Sequence, residues 1–197
     1  MAKKIAVTGG IGSGKSTVIS IIKNMGYSVF SCDEIYNEIL LEKEYIEKVA
    51  KLFPAAVENG QINRKTLSEY VFNHETNLVK LNALAHPIIM NRLLSKMEQS
   101  NAKYVFAEVP LLFEGNFEKL FDKVVVVMRD IDIRIKNVIQ RDALSEKQVK
   151  QRISKQFNYT SKEAKKRFEN CNAILLENMG SIEQLKVQVV KLFNRAL

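Results

Sequence analysis

The fold of this chain is decided by the stretch Thr8-Gly9-Gly10-Ile11-Gly12-Ser13-Gly14-Lys15-Ser16-Thr17. Residues 9–16 satisfy the pattern G-x-x-x-x-G-K-[ST] of a phosphate-binding P-loop. In such a loop, backbone N–H groups point at phosphate oxygens, the lysine reaches the outer phosphates, and the Ser/Thr hydroxyl helps to hold Mg²⁺. We therefore predict that residues 9–17 bind a nucleoside triphosphate, that Lys15 is catalytic and that Ser16 is a metal ligand.

The residues on either side of this loop place it between a strand and a helix. The apolar run Ile5-Ala6-Val7 precedes it, and apolar residues follow it at helical spacing until Gly26, which stands where a C-cap glycine belongs. A strand, a glycine turn and a helix N-terminus together form an anion-binding site.

Five short strands separated by helical stretches are predicted along the chain. We place them at residues 4–8, 27–32, 104–109, 123–128 and 173–177. The third and fourth contain unbroken apolar runs, as strands covered on both faces do, so the pattern indicates a parallel α/β sheet flanked by helices. Helical patterns at 34–52, 64–72 and 76–99 fill the long gap after the second strand. Phe53-Pro54 and Asn59-Gly60 are predicted breaks, and Pro87 is predicted to kink or split the last helix.

Basic residues are concentrated between the fourth and fifth strands. Residues 129–167 contain twelve of the thirty Lys and Arg residues but only five acidic ones, in a chain of net charge +8. Such a segment can bind nucleic acid, cover an anionic small substrate, or form solvated helix faces. Capping boxes are predicted at Ser145-x-x-Gln148, Thr160-x-x-Glu163 and Ser181-x-x-Gln184.

The pattern as a whole is that of a small-molecule kinase with two insertions. We predict a single P-loop kinase domain, with a nucleotide-binding core at residues 1–33, 101–128 and 170–197. A helical acceptor-binding insertion at 34–100 and a basic helical lid at 129–169 complete it. The length of 197 residues, 46% of them hydrophobic, suits this plan.

Composition predicts a cytoplasmic protein. The longest aliphatic run, residues 124–128, is too short to span a membrane, and no secretory signal is recognised. Cys32 and Cys171 have neither disulfide-framework nor metal-ligand spacing, which favours a reducing compartment with both thiols as buried packing residues.

Four further positions carry predicted chemistry. Asp33 ends the second strand, where a carboxylate can accept the proton of an attacking hydroxyl or can cap the next helix. Glu108 ends the third strand and is interpreted either as an acid that positions Mg²⁺ through water or as a buried structural carboxylate. Arg141, with Arg152, lies in the basic segment and can reach a transferring phosphoryl group when the lid closes.

The chain resembles the dephospho-coenzyme A kinase family over essentially its whole length. The resemblance is carried by the P-loop, Asp33, Asn59-Gly60-x-x-Asn63-Arg64-x-x-Leu67, His86-Pro87-x-Ile89, Val109-Pro110-Leu111-Leu112-Phe113-Glu114, Gln140-Arg141-Asp142, Arg152-x-x-x-Gln156 and Asn178-x-Gly180. It implies ATP- and Mg²⁺-dependent phosphorylation of the ribose 3′-hydroxyl of dephospho-CoA, the last step of coenzyme A synthesis. It also implies that Asp33 is the base, that Arg141 is a lid arginine, and that Asp33, Arg64, His86 and Leu111 contact the acceptor.

Four positions depart from the family pattern. Ser31-Cys32-Asp33 stands where the family often has Asp-Ala-Asp, and Asn63 stands where an aspartate usually precedes the arginine. Asn137 occupies a common arginine position, for which Arg134 is predicted to compensate, and Asn172 replaces an aspartate before the last strand.

Other functions share part of this pattern. Another small-molecule or nucleoside monophosphate kinase would have the same architecture. A GTPase switch is disfavoured because no N-K-x-D motif is present, and a nucleic-acid-dependent ATPase would stack bases on Phe157, Tyr159 and Phe168. The predicted partners are ATP and dephospho-CoA, without nucleic acid or membrane, in a monomer or a small homo-oligomer.

Overall fold

The computed structural model describes residues 2–196, with the backbone alone at residues 72–73 and 193–196. The strands are β1 (Lys3–Thr8), β2 (Ser28–Ser31), β3 (Val57–Glu58), β4 (Gln61–Ile62), β5 (Tyr104–Glu108), β6 (Lys123–Met128) and β7 (Ile174–Glu177). The helices are α1 (Lys15–Asn24), α2 (Cys32–Ile39), α3 (Lys43–Leu52), α4 (Arg64–Asn73), α5 (Glu75–Glu98), α6 (Ile131–Asp142), α7 (Glu146–Ser154), α8 (Lys162–Asn170) and α9 (Ile182–Ala196).

The central sheet has the strand order β2-β5-β1-β6-β7. β1 pairs in parallel with β5 and with β6, and β6 pairs in parallel with β7. The five predicted strands are confirmed, each to within one residue at either end. Because the side chains of β5 and β6 at residues 105–107 and 124–127 are almost fully buried, the unbroken apolar runs mark strands covered on both faces.

The chain forms two compact units. One contains the chain up to Phe30 and from Met97 onward, and the other is Ser31–Lys96. In the first unit, the apolar face of α1 packs with α9 against the sheet, and Gly26 adopts a φ of 86° directly after α1, as a C-cap glycine does. None of the helices in the described part of the chain is long and apolar enough to cross a bilayer.

The unit Ser31–Lys96 departs from the prediction in three places. The predicted helix 34–52 is two helices, α2 and α3, which bury Ile39 and Tyr45 respectively. Glu42 between them has an extended backbone, with a φ of −85° and a ψ of 130°, so the helix is interrupted there. Asn59-Gly60 is the turn of the β3–β4 hairpin rather than a simple break, and both residues have positive φ, of 50° and 72°.

The third departure is in α5, which continues through Pro87, so of the two outcomes predicted for this proline the split is wrong and the kink stays a prediction. Proline removes the hydrogen bond to the carbonyl four residues earlier, which belongs to Ala83. Ala83 and Pro87 are both exposed, so water can satisfy that carbonyl. Buried Ala85 and Met90 pack the helix on either side of the proline.

Two of the three capping boxes are confirmed and one is wrong. Ser145 and Gln148 cap α7 reciprocally, and Ser181 and Gln184 do the same at α9. α8 is capped by Ser161, whose hydroxyl accepts the Ala164 N–H. Cys32 is buried as predicted, but Cys171 is only half-buried.

Candidate active site

The P-loop connects β1 to α1 with a conformation that requires glycine. Gly14 is the N-cap of α1 in the left-handed region, with a φ of 95°, and its carbonyl accepts the N–H groups of Thr17 and Val18, each at 3.1 Å. Gly12 has a φ of 77°, and a Cβ there would lie 2.5 Å from the carbonyl oxygen of Arg134. The two glycines therefore permit both the turn and the close packing of the loop on α6.

Lys15 is the first residue of α1, and its side chain lies over the loop. The Nζ group donates to the carbonyls of Gly9 at 2.8 Å and Gly10 at 3.2 Å. A phosphate anion accepts a stronger, charge-assisted hydrogen bond from an ammonium than a neutral carbonyl does. The lysine is therefore poised to exchange these carbonyls for a phosphate oxygen.

The backbone of the loop is held from outside by side chains that lie far away in the chain. Gln156 Oε1 accepts the N–H of Ile11 at 2.8 Å, and the Nε of Arg134 donates to the carbonyl of Ile11 at 2.9 Å. The backbone N–H and C=O of Ile11 are thus both engaged by side chains. Arg134 is half-buried against the loop, where burial lowers the pKa of its guanidinium. Arg134, which was predicted to compensate for Asn137, is therefore already bonded to the loop.

Two amides hold the next two carbonyls of the loop. Asn137 Nδ2 donates to Gly12 O at 3.3 Å, and Asn178 Nδ2 donates to Ser13 O at 2.8 Å. Asn178 is buried, and its own N–H donates to the carbonyl of Met128 at 2.8 Å, which fixes the position of the residue. We call Arg134, Asn137, Gln156 and Asn178 the loop-supporting residues. The sequence alone did not assign Gln156 or Asn178 to the site, although the motifs Arg152-x-x-x-Gln156 and Asn178-x-Gly180 could have indicated them.

A cavity of about 600 Å³ lies beside the loop, within the first unit. Its lining includes Gly10, Ser13, Arg129, Arg134 and Met179. Ser13 Oγ and Arg129 Nε are buried and have no hydrogen-bond partner among the described residues. The cavity thus combines cationic and hydroxyl groups with apolar walls, a composition that suits a nucleotide.

Ser16 and Glu108 supply oxygen atoms on either side of the loop. Ser16 is exposed in the first turn of α1, and Glu108 is half-buried at the end of β5, in register with Val7 of β1. Hydroxyl and carboxylate oxygens suit Mg²⁺, which is commonly held by one or two protein groups, waters and substrate phosphates. No group of three or more His, Cys, Asp or Glu residues with metal-site geometry occurs in the described part of the chain.

Arg141 and Arg152 of the basic segment converge on one carboxylate. The Nε and Nη2 atoms of Arg141 donate to the two oxygens of Asp142 at 2.7 and 2.9 Å, and Arg152 lies 3.6 Å from Asp142. The side chain of Arg141 is 61% exposed. Arg141 is thus available at the surface and is held by a neighbour that an anionic substrate can replace.

The aromatic residues of this segment are packed together. Phe157, Tyr159 and Phe168 surround Phe113, with ring centroids 4.8, 6.0 and 5.3 Å from its own; we call these four the aromatic cluster. Tyr159 and Phe168 are buried, and burial raises the pKa of Tyr159 to about 12. This packing disfavours the stacking of nucleic-acid bases on these rings, because Tyr159 and Phe168 are buried and Phe157 is stacked on Phe113.

Asp33 and Arg64 belong to the unit Ser31–Lys96. Ser31 is the N-cap of α2 and accepts the N–H of Glu34 at 3.4 Å, so the capping role considered for Asp33 is wrong. Asp33 is exposed in the first turn of α2, one turn before Asn37 and therefore on the same face. Arg64 donates to Asn37 Oδ1 at 2.9 Å, which brings a cation to the helix face that carries Asp33.

The other two predicted acceptor residues lie in different units. His86 is half-buried in α5, where burial lowers the pKa of its imidazole. Leu111 follows β5 in the first unit and is 38% exposed. Asn63, the departure before Arg64, is the N-cap of α4 and accepts the Thr66 N–H at 3.1 Å.

Comparisons with known proteins give one consistent result. A family model described as dephospho-CoA kinase matches residues 3–184. The dephospho-CoA kinase of Fusobacterium nucleatum is 33% identical over 187 residues, which covers 92% of each chain. A crystal structure from Thermus thermophilus has 32% identity and a TM-score of 0.82, over 100% of this chain and 98% of that one. Dephospho-CoA kinase from Campylobacter jejuni has 29% identity and a TM-score of 0.69, over 98% and 96% of the two chains.

Proposed function

The chain belongs to the dephospho-CoA kinase family, and on that premise we propose which of its residues bind the substrates and carry out the transfer. Its reaction is the ATP-dependent phosphorylation of the ribose 3′-hydroxyl of dephospho-CoA, which gives coenzyme A and ADP and completes coenzyme A biosynthesis. The alternative of another small-molecule or nucleoside monophosphate kinase is not favoured. The observation that carries the residue assignments is a P-loop held in shape by four side chains, with Lys15 already over it.

On the donor side, residues 9–17 bind the phosphates of ATP. Backbone N–H groups of the loop and of the α1 N-terminus face the phosphate oxygens, and Lys15 neutralises charge on the outer phosphates. Ser16 and Glu108, the latter through water, are the residues that would hold Mg²⁺ here. When bound, the ion would supply positive charge that offsets the charge developing on the outer phosphates.

On the acceptor side, Asp33 accepts the proton of the ribose 3′-hydroxyl. Support comes from its exposure in the first turn of α2 and from the capping of that helix by Ser31, which leaves the Asp33 carboxylate without a structural duty there. Arg64 supplies positive charge for the phosphates of the acceptor, and His86 and Leu111 contact its less polar parts. The insertion at residues 34–100 thereby serves as the acceptor-binding region.

Residues 129–169 act as the lid. Arg141 leaves Asp142 when the lid closes and contacts the transferring phosphoryl group, where positive charge stabilises the transition state. The exposure of Arg141 and the local nature of its ion pair support this role. We further propose a cytoplasmic monomer or small homo-oligomer without nucleic-acid or membrane partners; Cys32 and Cys171 are thiols outside any disulfide, which suits a reducing compartment.

The assignment of the reacting groups is tested by incubating the protein with ATP, Mg²⁺ and dephospho-CoA and measuring the mass of the acceptor. We expect one added phosphoryl group on the 3′-hydroxyl with the wild-type protein and none with Lys15→Ala. Transfer to a nucleoside monophosphate at a comparable or higher rate would instead support the alternative kinase.

The metal assignment has its own test. Activity should be lost in excess EDTA, and Glu108→Gln should weaken the apparent Mg²⁺ affinity more than it weakens dephospho-CoA binding. Full activity in EDTA, or the reverse ranking of the two affinities, would remove Ser16 and Glu108 from the metal site.

A further inference from the structure

We propose that Glu114 is a positioning residue for the P-loop, acting through Phe157 and Gln156. Glu114 Oε1 accepts the backbone N–H of Phe157 at 2.8 Å, and the adjacent Gln156 accepts the N–H of Ile11 at 2.8 Å. Two hydrogen bonds on consecutive residues thus connect the segment after β5 to the phosphate-binding loop. This inference rests on the proposed binding of ATP by that loop.

The segment that carries Gln156 depends on side-chain contacts for its position. It follows the end of α7 at Ser154 and precedes α8 at Lys162, and it contains neither helix nor strand. Regular backbone hydrogen bonding therefore does not fix it, and side-chain contacts must. Besides the Glu114 bond, Phe157 stacks on Phe113 with an interplanar angle of 24°, and Tyr159 and Thr8 place their hydroxyl oxygens 3.3 Å apart.

Glu114 is chemically suited to this task. A carboxylate accepts a stronger hydrogen bond than a carbonyl does, and a part-buried bond is screened little by water. Since Gln156 and Phe157 share a peptide unit, releasing the Phe157 N–H frees the backbone that aims the Gln156 amide. The Ile11 N–H then loses its acceptor, and the loop loses one of the contacts that hold its shape.

Glu118 on the same segment provides a matched control. It is also half-buried and accepts from Arg167, whose Nε and Nη2 lie 2.8 and 2.5 Å from its Oε1. Arg167 in turn lies over the rings of Phe113 and Phe157, at 5.1 and 5.3 Å from their centroids. Glu118 therefore supports the aromatic cluster, whereas Glu114 also bonds the backbone beside Gln156.

The experiment compares ATP dissociation constants, dephospho-CoA KM values and melting temperatures of purified full-length variants. We expect Glu114→Met, which keeps the volume, and Glu114→Ala to weaken ATP binding about tenfold, the effect of one lost hydrogen bond, with dephospho-CoA KM unchanged. Glu114→Gln keeps an acceptor oxygen and should stay within about twofold of wild type. Glu118→Ala should lower the melting temperature and weaken ATP binding of the folded protein much less than Glu114→Met does, because Glu118 supports the cluster without bonding the backbone beside Gln156.

A double variant tests whether Glu114 acts through Gln156. We expect Glu114→Met with Gln156→Ala to bind ATP no more weakly than Gln156→Ala alone, because both changes release the same Ile11 N–H.

Four results would overturn the inference. They are unchanged ATP affinity in a folded Glu114→Met or Glu114→Ala variant, unchanged affinity in Gln156→Ala, additive losses in the double variant, or an equal loss in Glu118→Ala. Failure of the wild-type protein to bind ATP would instead overturn the proposed function.

Discussion

The P-loop and the pair Asp33 and Arg141 are held in the structure in different ways. Four side chains bond the backbone of the loop around residues 11–13, so contacts within the chain hold its shape. Asp33 is exposed, and Arg141 is exposed with its guanidinium on the neighbouring Asp142. The donor site is therefore tied into the protein's own packing, whereas the groups predicted to act on the transferring phosphoryl group can be changed at little structural cost. Changes to the loop-supporting residues should alter ATP affinity and stability, and changes to Asp33 and Arg141 should alter turnover.

The largest effect should come from Lys15→Ala. Lys15 neutralises charge that develops on the outer phosphates in the transition state, so we expect kcat/KM to fall by at least roughly 10³-fold. The fold should persist, because four other side chains hold the backbone of the loop independently of Lys15. Steady-state kinetics and circular dichroism check the two halves of this expectation. Turnover near that of wild type would remove the loop lysine from the mechanism.

The second-largest effect should come from Asp33→Asn, which should lower kcat while leaving ATP affinity almost unchanged. The amide keeps the shape of the carboxylate but cannot take a proton, so we expect kcat to fall roughly 10²–10⁴-fold. Because Ser31 caps α2, ATP affinity and melting temperature should change little. A loss of several degrees in melting temperature with retained activity would show that Asp33 has a structural role instead.

Arg134 supports the loop and Arg141 is predicted to contact the phosphoryl group, and both lie in α6. Replacing each of them by alanine therefore compares the two kinds of residue within one helix. Arg141→Ala should lower kcat at least as strongly as it raises KM, because its contact forms on closure and grows with transition-state charge. Arg134→Ala should instead weaken ATP binding and lower the melting temperature, since Arg134 holds Ile11.

A double alanine variant of exposed Lys165 and Lys166 on α8 is the control for charge alone. Salt screens such surface charges, so we expect kinetics close to wild type. Identical changes in kcat, KM and melting temperature for Arg134→Ala and Arg141→Ala would contradict the distinction between a loop-supporting and a reacting arginine. Wild-type kinetics for Arg141→Ala would remove that residue from the lid.

The smallest effect concerns the pH dependence of stability. Burial lowers the pKa of His86 below its ordinary value of 6.5, because the protonated form loses hydration. The unfolded chain then binds a proton that the folded chain does not, so this contribution to stability is present above about pH 6.5 and is lost as the pH falls below it. Melting temperatures between pH 7.5 and about 5 should fall less in His86→Gln than in wild type. His74→Gln, at an exposed histidine, is the control, and an equal flattening in both variants would contradict the assignment to His86.

Sequence alone determined the features that are written in short stretches of chain. The P-loop pattern, the apolar runs of the five strands and the cap at Ser145 depend on residues within a few positions of one another, and local backbone preferences express them directly. The motifs that resemble the kinase family belong to the same class of signal, and the family match followed from them. Asn59-Gly60 was a local signal too, and its capacity to form a hairpin turn was read only as a break.

Tertiary structure alone decided which side chains complete the site. Gln156 and Asn178 reach the P-loop from 145 and 165 positions away in the chain, and no local periodicity reports such a contact. The same holds for Asn137, whose substitution for a family arginine became interpretable only when its amide was found on the Gly12 carbonyl. Aromatic residues that were candidates for stacking bases proved to be packed on Phe113. Burial and long-range hydrogen bonding depend on how the strands and helices assemble, so their partners are selected by the fold and not by neighbouring residues.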